Sequence, residues 1–100
     1  MELQPARLHA MQKTLHTRQY ILLLEGLRSI RRNAGMNQQE LGRRLEMTQS
    51  EVSKCERGIR RLDAIELRLW LAALSVDTAD FFREFDRRVD SDALASRRIG

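Results

Sequence analysis

The stretch that decides the fold is residues 38–58, QQELGRRLEMTQSEVSKCERG, which divides into two short amphipathic pieces. In the first piece Leu41 and Leu45 lie four residues apart on one face. In the second piece Val52 and Cys55 lie three apart, and the opposite face is polar. Two helices joined by a turn of about three or four residues form a helix-turn-helix. The second helix of such a unit can enter the major groove of DNA, with its N-terminal residues towards the base edges.

Small and capping residues stand where such a unit needs them. Gly42 lies where the second helix is expected to come closest, and Val52 is placed to fill the space above it. Thr48 and Glu51 have the spacing of a capping box, in which each side chain binds the main-chain amide of the other. Gly58 follows the last apolar residue and suits a left-handed helix end. The spacing therefore predicts where the second helix begins and ends.

Length and composition favour one all-α domain. The chain has 100 residues, 42% of them hydrophobic, with a single proline and five glycines. It shows no sustained alternation of apolar and polar residues, which a half-buried strand requires. A run of about 18 apolar residues is also absent, so we expect no membrane span. The N-terminus does not resemble a secretion signal, and the lone cysteine fits a reducing compartment, so the expected location is cytoplasmic.

Positive charge is concentrated on and beside the central motif. Residues 28–61 carry nine basic and four acidic side chains, whereas residues 62–100 carry six basic and eight acidic ones. This is the pattern expected of a surface that binds phosphate groups. A solvated, charged helical surface would give the same pattern, so charge alone leaves the two interpretations open.

The first helix is expected from about residue 13 to residue 33, with Gly35 as its stop. Residues 1–17 are expected to form either an N-terminal arm or the start of this extended helix. The predicted inward face consists of Leu23, Leu27, Ile30 and Ala34. Further apolar residues lie outside that face, at positions 20, 21, 22 and 24. The first helix should therefore be buried on several sides or meet a partner.

A fourth and a fifth helix are expected after the central motif. Asp63 and Glu66 have capping-box spacing at the start of the fourth helix. Its predicted inward face is Ala64, Leu67, Trp70, Leu71 and Leu74, and a second apolar stripe is Leu62, Ile65, Leu69 and Ala72. The fifth helix is expected over residues 78–87, followed by a loose tail over residues 89–100. The helix-turn-helix domain is thus predicted to span residues 18–88.

Residues 23–82 resemble the phage repressor and Cro type of helix-turn-helix protein, the xenobiotic-response-element family. The resemblance rests on LRSIRRNAGMNQQELGRRLEMTQSEVSKCERG and WLAALSVDTADFF. It is made specific by the A-G-x-N-Q-x-E-L entry, the E-R-G exit and the A-L-x-V link. The resemblance implies a compact bundle of five helices, a lambda-repressor-like DNA-binding domain that binds double-stranded operator DNA, usually as a homodimer.

The resemblance also implies roles for individual residues. The positions that face bases match Gln49, Ser50, Ser53 and Lys54, which share one helical face. A glutamine can pair with adenine and a lysine with guanine. The positions expected to contact phosphates, or to lie beside them at a helix start, are Asn37, Gln38, Arg43, Arg57, Arg60 and Arg61. A brace that orients the recognition helix is implied between Arg31 and Glu56.

This chain departs from the family pattern in two places. Glu46 stands in the turn where glycine is usual, which would cost on the order of 1 kcal/mol if the backbone is left-handed there. Apolar residues also stand where the family usually has polar ones on the fourth helix. A surface stripe of that kind suggests a protein partner. The predicted dimer or partner surface is Leu62, Ile65, Leu69 and Phe85.

The remaining polar residues do not form a chemical site. Cys55 lies on the inward face of the recognition helix and is expected to be a buried structural thiol. One cysteine and two isolated histidines offer no four-ligand zinc spacing, so no metal and no cofactor are expected. A nucleophile with its base, and a glycine-rich phosphate loop, are both missing. We therefore expect no catalytic residues and no enzyme.

The sequence as a whole predicts a DNA-binding transcriptional regulator, acting as a repressor at a palindromic operator through a recognition helix at residues 49–57. The alternative is the antitoxin of a toxin–antitoxin pair, because such antitoxins often share this fold. A protein toxin would then cover the extra apolar stripe or the terminal arms.

Overall fold

The computed structural model describes residues 17–99, with side chains up to residue 95. Its five helices are α1 (Arg18–Asn33), α2 (Gln38–Leu45), α3 (Gln49–Glu56), α4 (Ala64–Ala73) and α5 (Thr78–Ile99). These residues contain no strand, so the prediction of an all-α, five-helix fold is confirmed. None of these helices combines the length and the apolar character that a membrane crossing requires. The predicted arm lies outside the described residues. The first helix begins at Arg18, after the extended Thr17, and not near residue 13 as the sequence predicted.

Local capping signals place the helix boundaries. The residue before each of the first four helices is extended, and its side chain accepts a hydrogen bond from the main-chain amide three residues on. These N-caps are Thr17, Asn37, Thr48 and Asp63. Both predicted capping boxes are present. After α1 and α3, Gly35 and Gly58 adopt the left-handed backbone with φ of 69° and 76°, as predicted.

The turn between α2 and α3 is tight because backbone packs on backbone. Met47 donates its amide to the carbonyl of Gly42 at 2.8 Å. A Cβ atom on Gly42 would lie 2.5 Å from the Met47 carbonyl oxygen. Glycine is therefore needed because of the turn itself, whereas the sequence had suggested the body of the second helix. Glu46 adopts the left-handed backbone, with φ 55° and ψ 43°, although it is not glycine.

The core is built from side chains of all five helices and of the segments between them. The most buried side chains include Leu27, Leu41, Val52, Cys55, Trp70 and Leu71. The predicted inward face of α1 is partly wrong, because Ala34 is exposed and Leu23 and Ile30 are only partly buried. The central face instead carries Tyr20, Leu24, Leu27 and Arg31. A second buried side, with Leu22 and Gly26, packs towards α5, so α1 is buried on two sides, as its surplus apolar residues suggested.

Three predictions about the second half of the chain need correction. Leu62 is only 8% exposed and belongs to the core, so it does not contribute to a surface stripe; Ala64 is exposed instead of inward-facing. The fifth helix does not end near residue 87 but continues to Ile99. Residues 89–99 contain neither proline nor glycine, so nothing in the sequence stops it. The division into a domain at 18–88 and a tail at 89–100 stays a prediction.

Candidate nucleic-acid interface

The outer face of α3 is polar and open to solvent. Gln49, Ser50 and Lys54 are exposed and Ser53 is half-buried, whereas Val52 and Cys55 on the other side are fully buried. The helix starts with a bond from the Thr48 amide to the Glu51 carboxylate at 3.1 Å, which holds the pKa of that carboxyl below its ordinary value. The four positions predicted to face bases are thus carried on one well-capped helix.

A buried ion pair anchors α3 to α1. The Arg31 guanidinium donates from Nε to Glu56 Oε2 at 2.7 Å and from Nη2 to Glu56 Oε1 at 3.0 Å. A third donor, Nη1, binds the Met36 carbonyl at 2.9 Å. The Glu56 residue is 1% exposed and Arg31 is 7% exposed. Breaking one partner of such a pair would leave an uncompensated buried charge, so the pair holds the two helices in a defined relation.

Gln38 joins this buried pair to the surface of α3. Its side-chain amide donates to Glu56 Oε1 at 2.9 Å, and its carbonyl oxygen accepts from Gln49 Nε2 at 3.0 Å. The first residue of α3 is therefore connected through the first residue of α2 to the Arg31–Glu56 pair. This hydrogen-bonded chain limits the positions that the exposed end of Gln49 can take. Asn37 beside it caps α2 by accepting from the Glu40 amide at 2.8 Å.

The predicted phosphate-binding arginines differ in the contacts that they already make within the protein. The Arg43 side chain is exposed and makes no hydrogen bond or ion pair within residues 17–95. Arg57 donates from Nε to the Ser53 hydroxyl at 3.1 Å, so it lies over the polar face of α3. The Arg61 guanidinium carbon lies 5.0 Å from the centre of the Tyr20 ring, a cation–π contact that leaves it exposed.

Arg60 is bound within the protein on two sides. Its Nη1 lies 3.3 Å from the Cys55 sulfur, and its Nη2 pairs with Glu66. The sulfur contact, followed by the Glu66 contact, raises the pKa of Arg60 above its ordinary value. A bond from the Asp63 amide, followed by the Arg60 contact, lowers the pKa of Glu66. A contact from Arg60 to a phosphate would have to compete with these partners.

The sequence did not indicate that two arginines, Arg28 and Arg44, donate to main-chain carbonyls of other helices. Arg28 Nη1 donates to the main-chain carbonyl of Glu56 at 2.5 Å, and Arg44 Nη1 donates to the carbonyl of Ala73 at 2.9 Å. Arg28 precedes Arg31 by three residues, a spacing that places both on one face of α1 and that was visible in the sequence. A carbonyl acceptor leaves no trace in side-chain types, so neither contact could be predicted.

The residues of the predicted partner surface do not form one patch. Ile65 and Leu69 on α4 are 69% and 56% exposed. Leu69 borders a shallow cavity of about 150 Å³, which Leu45 and Met47 also line. Phe85 instead lines a separate cavity of about 190 Å³ between α1 and α5, and the two cavities share no residue. With Leu62 in the core, Ile65 and Leu69 remain as the exposed apolar pair of α4.

The described residues include no group of three or more histidine, cysteine, aspartate or glutamate side chains that could hold a metal ion. Cys55 is a free, buried thiol, as expected from its inward position. The two histidines of the sequence lie outside the described residues.

Comparisons with known proteins point to one family. Residues 27–81 match the model of a helix-turn-helix family. Two solved structures are similar, each a single-substitution variant of the restriction-modification controller protein C.Esp1396I. The first is 25% identical with a TM-score of 0.64, and the match covers 70% of this chain and 96% of that one. The second is 23% identical with a TM-score of 0.67, covering 73% and 92%. No curated protein sequence matches the chain.

Proposed function

Because the chain belongs to the Cro/C1-type helix-turn-helix family of DNA-binding transcriptional regulators, we propose that it binds a palindromic operator as a two-fold dimer and represses the overlapping promoter. The hydrogen-bonded chain from Gln49 through Gln38 to the Arg31–Glu56 pair carries the proposal. It fixes the exposed polar face of α3 relative to the rest of the fold, as a base-reading helix requires. The half-sites would lie about 34 Å apart, so that both recognition helices reach one side of the duplex.

The proposed contacts divide into two kinds. Gln49, Ser50, Ser53 and Lys54 would face base edges and set the sequence preference. Asn37, Gln38, Arg43, Arg57 and Arg61 would contact or flank phosphates, which position the protein without selecting a sequence. Arg60 would join them only by exchanging its bonds to Cys55 and Glu66. Of the arginines, Arg43 is therefore the clearest candidate for a phosphate contact.

Binding is tested by fluorescence anisotropy with DNA from upstream of the protein's own gene and with a scrambled duplex, across a salt series. We expect a preference of roughly a thousandfold or more for the first duplex. Lys54→Ala should reduce that preference, whereas Arg43→Ala should weaken binding to both duplexes and lower the salt slope by about one. Equal, weak and steeply salt-dependent binding to both duplexes would contradict specific recognition of that DNA.

The proposed dimer surface is the exposed pair Ile65 and Leu69 on α4. The double variant Ile65→Glu, Leu69→Glu should be monomeric by light scattering under conditions in which the wild type is dimeric, because it places charge in an apolar contact. Leu94→Glu is the matched control, since Leu94 is 54% exposed but lies near the end of α5. A double variant that remains dimeric would assign the interface to another surface.

Repression is tested with a reporter gene behind the same upstream DNA. Expression should fall when the wild-type protein is present and recover with Lys54→Ala. A rise in expression with the wild type would instead identify an activator.

The likeness to a restriction-modification controller protein adds a second candidate, namely control of restriction and modification genes. DNA from upstream of such genes, where they neighbour this one, is then the probe for the same anisotropy assay. Neither the family nor the similar structures give support to a toxin as partner, so the antitoxin alternative is not carried further.

A further inference from the structure

We propose that Arg28 is a positioning residue for the recognition helix, holding the C-terminal end of α3 through its main chain. Its effect on DNA preference rests on the proposed function, whereas its effect on α3 itself does not. Arg28 lies in the C-terminal half of α1 and is half-buried, and its Nη1 donates to the carbonyl of Glu56, the last residue of α3, at 2.5 Å.

Among the residues that the structure describes, this carbonyl is the one acceptor in the last turn of α3 that is satisfied from another helix. The carbonyls of Ser53, Lys54 and Cys55 accept amides from the chain that follows, at residues 57–60. Within the described residues, the Glu56 carbonyl receives its hydrogen bond from Arg28. A cation at this end also complements the partial negative charge of the helix C-terminus. Arg28 thus donates to a helix-end carbonyl that receives no main-chain amide from the turn that follows.

Arg28 and Arg31 bind different parts of Glu56. Arg31 binds both carboxylate oxygens, but a carboxylate can swing about its side-chain torsions while the helix behind it moves. Arg28 binds the main chain, so it restrains the helix axis directly. The two arginines lie one turn apart on the same face of α1. Together they tie both the backbone and the side chain of one residue to one helix.

Gln38 contacts side chains at both ends of α3, and the C-terminal end is bound in addition through its main chain. At the N-terminal end, Gln49 is bound to Gln38 on α2. At the C-terminal end, about 10 Å along the axis, Glu56 is bound to Arg28 on α1. Loss of the Arg28 contact should let the C-terminal end tilt about the N-terminal one. Lys54, which lies nearer the C-terminal end, would then be displaced more than Gln49.

The first test uses the free protein and compares Arg28→Met with Arg32→Met. Arg32 lies on the same helix, and its side chain is exposed and makes no hydrogen bond or ion pair within residues 17–95, so it controls for the lost charge. We expect the amides of residues 57–60 to exchange with solvent about tenfold faster in Arg28→Met, with little change in Arg32→Met. Equal acceleration of every amide, including those of the core, would show a general stabilising role and overturn the proposal, as would no acceleration.

The second test uses the operator and the scrambled duplex. Arg28→Met should lower the preference between them by about tenfold with an unchanged salt slope, and Arg28→Lys should restore part of it, because a lysine retains one charged donor. In Arg28→Met, discrimination against base-pair changes should fall more at the positions opposite Lys54 than at those opposite Gln49. Equal weakening on both duplexes with a flatter salt slope would make Arg28 a phosphate contact and overturn the proposal. If no operator is found, the hydrogen-exchange test still decides whether Arg28 holds the end of α3. Failure of the proposed DNA binding and failure of the proposed role of Arg28 are therefore distinguishable.

Discussion

Two glycines inside helices show how differently the two halves of the molecule are packed. Gly42 lies in the α2–α3 unit, where a Cβ atom would meet the Met47 backbone oxygen at 2.5 Å. Gly26 lies where α1 meets α5, and a Cβ atom there would lie 3.4 Å from the edge of the Phe81 ring. The first contact is backbone against backbone and cannot yield, whereas the second lies beside a cavity of about 190 Å³. The α2–α3 unit, which carries the exposed polar helix, is thus packed more rigidly than the contact between α1 and α5.

The polar contacts of the two halves differ in the same way. The α1–α3 contact is made by the buried Arg31–Glu56 pair, while the far end of the α1–α5 contact is made by Arg18 and Asp92 at 3.2 Å, with Arg18 largely exposed. Buried pairs and exposed pairs have very different consequences when one partner is removed. Three pairs of variants and one truncation test this contrast.

The largest effect is expected from Arg31→Met, because it leaves the Glu56 carboxylate buried beside an apolar side chain. The free energy of unfolding should fall by about 3–5 kcal/mol. Arg18→Met is the control, and it should cost less than about 1 kcal/mol because its ion pair is exposed. Urea denaturation followed by circular dichroism measures both. Equal losses for the two variants would remove the distinction between the halves.

Gly42→Ala and Gly26→Ala should move stability in opposite directions. Gly42→Ala must displace the α2–α3 turn, at a cost of about 3 kcal/mol. Gly26→Ala meets an ordinary contact in a helix interior, where alanine is better than glycine by about 0.5–1 kcal/mol. Thermal unfolding of each variant beside the wild type gives the comparison. A stable Gly42→Ala protein would show that the turn has room to move.

Two non-glycine residues with left-handed backbone compare the strain in the connecting turns. Glu46 lies between α2 and α3 with φ 55°, and Ser75 lies between α4 and α5 with φ 59°. Replacing either by glycine should raise the free energy of unfolding by about 1 kcal/mol, because glycine adopts this conformation without steric cost. Similar gains in denaturant titrations would show that the strain is local. A gain at Ser75 alone would mean that other contacts compensate for Glu46.

The smallest effect is expected from shortening α5. Residues 93–95 are exposed, and among the side chains that the structure describes the last ion pair with α1 is the one at Asp92. A chain ending at Asp92 should therefore lose less than about 0.5 kcal/mol of unfolding free energy. The same protein should bind DNA as the full chain does, which would support the predicted division between domain and tail. A larger loss would assign the end of α5 to the packed fold.

Most of the helix-turn-helix could be predicted because its determinants are close in sequence. Each N-cap and its amide donor are three residues apart, as are Thr48 and Glu51 in their capping box. The left-handed stop at Gly58 depends on a single residue. Such contacts are specified by residue type at fixed spacing. The family resemblance added the Arg31–Glu56 pair, which spacing alone could not have supplied.

Packing between distant segments produced the differences from prediction. Leu62 was assigned to a surface stripe by periodicity, but it lies before α4 begins and turns into the core. Residues 89–99 are polar and small, a composition that predicts a loose tail, but they continue α5. The buried face of α1 differs from the predicted one because several overlapping faces of this helix are apolar. Which of these faces are buried depends on where α5 packs, and the sequence does not give that position.

The sequence by itself determined that this chain forms short capped helices, one of them with an exposed polar face and a capping box at its start. Its side-chain types and spacings were sufficient because caps, turns and periodicity act over about four residues. The tertiary structure decided what holds that helix in place. The Arg28 contact with the Glu56 carbonyl spans 28 positions, and the Gln38 contact with Glu56 spans 18. Contacts of this range depend on how whole helices pack, and a main-chain acceptor is the same at every residue.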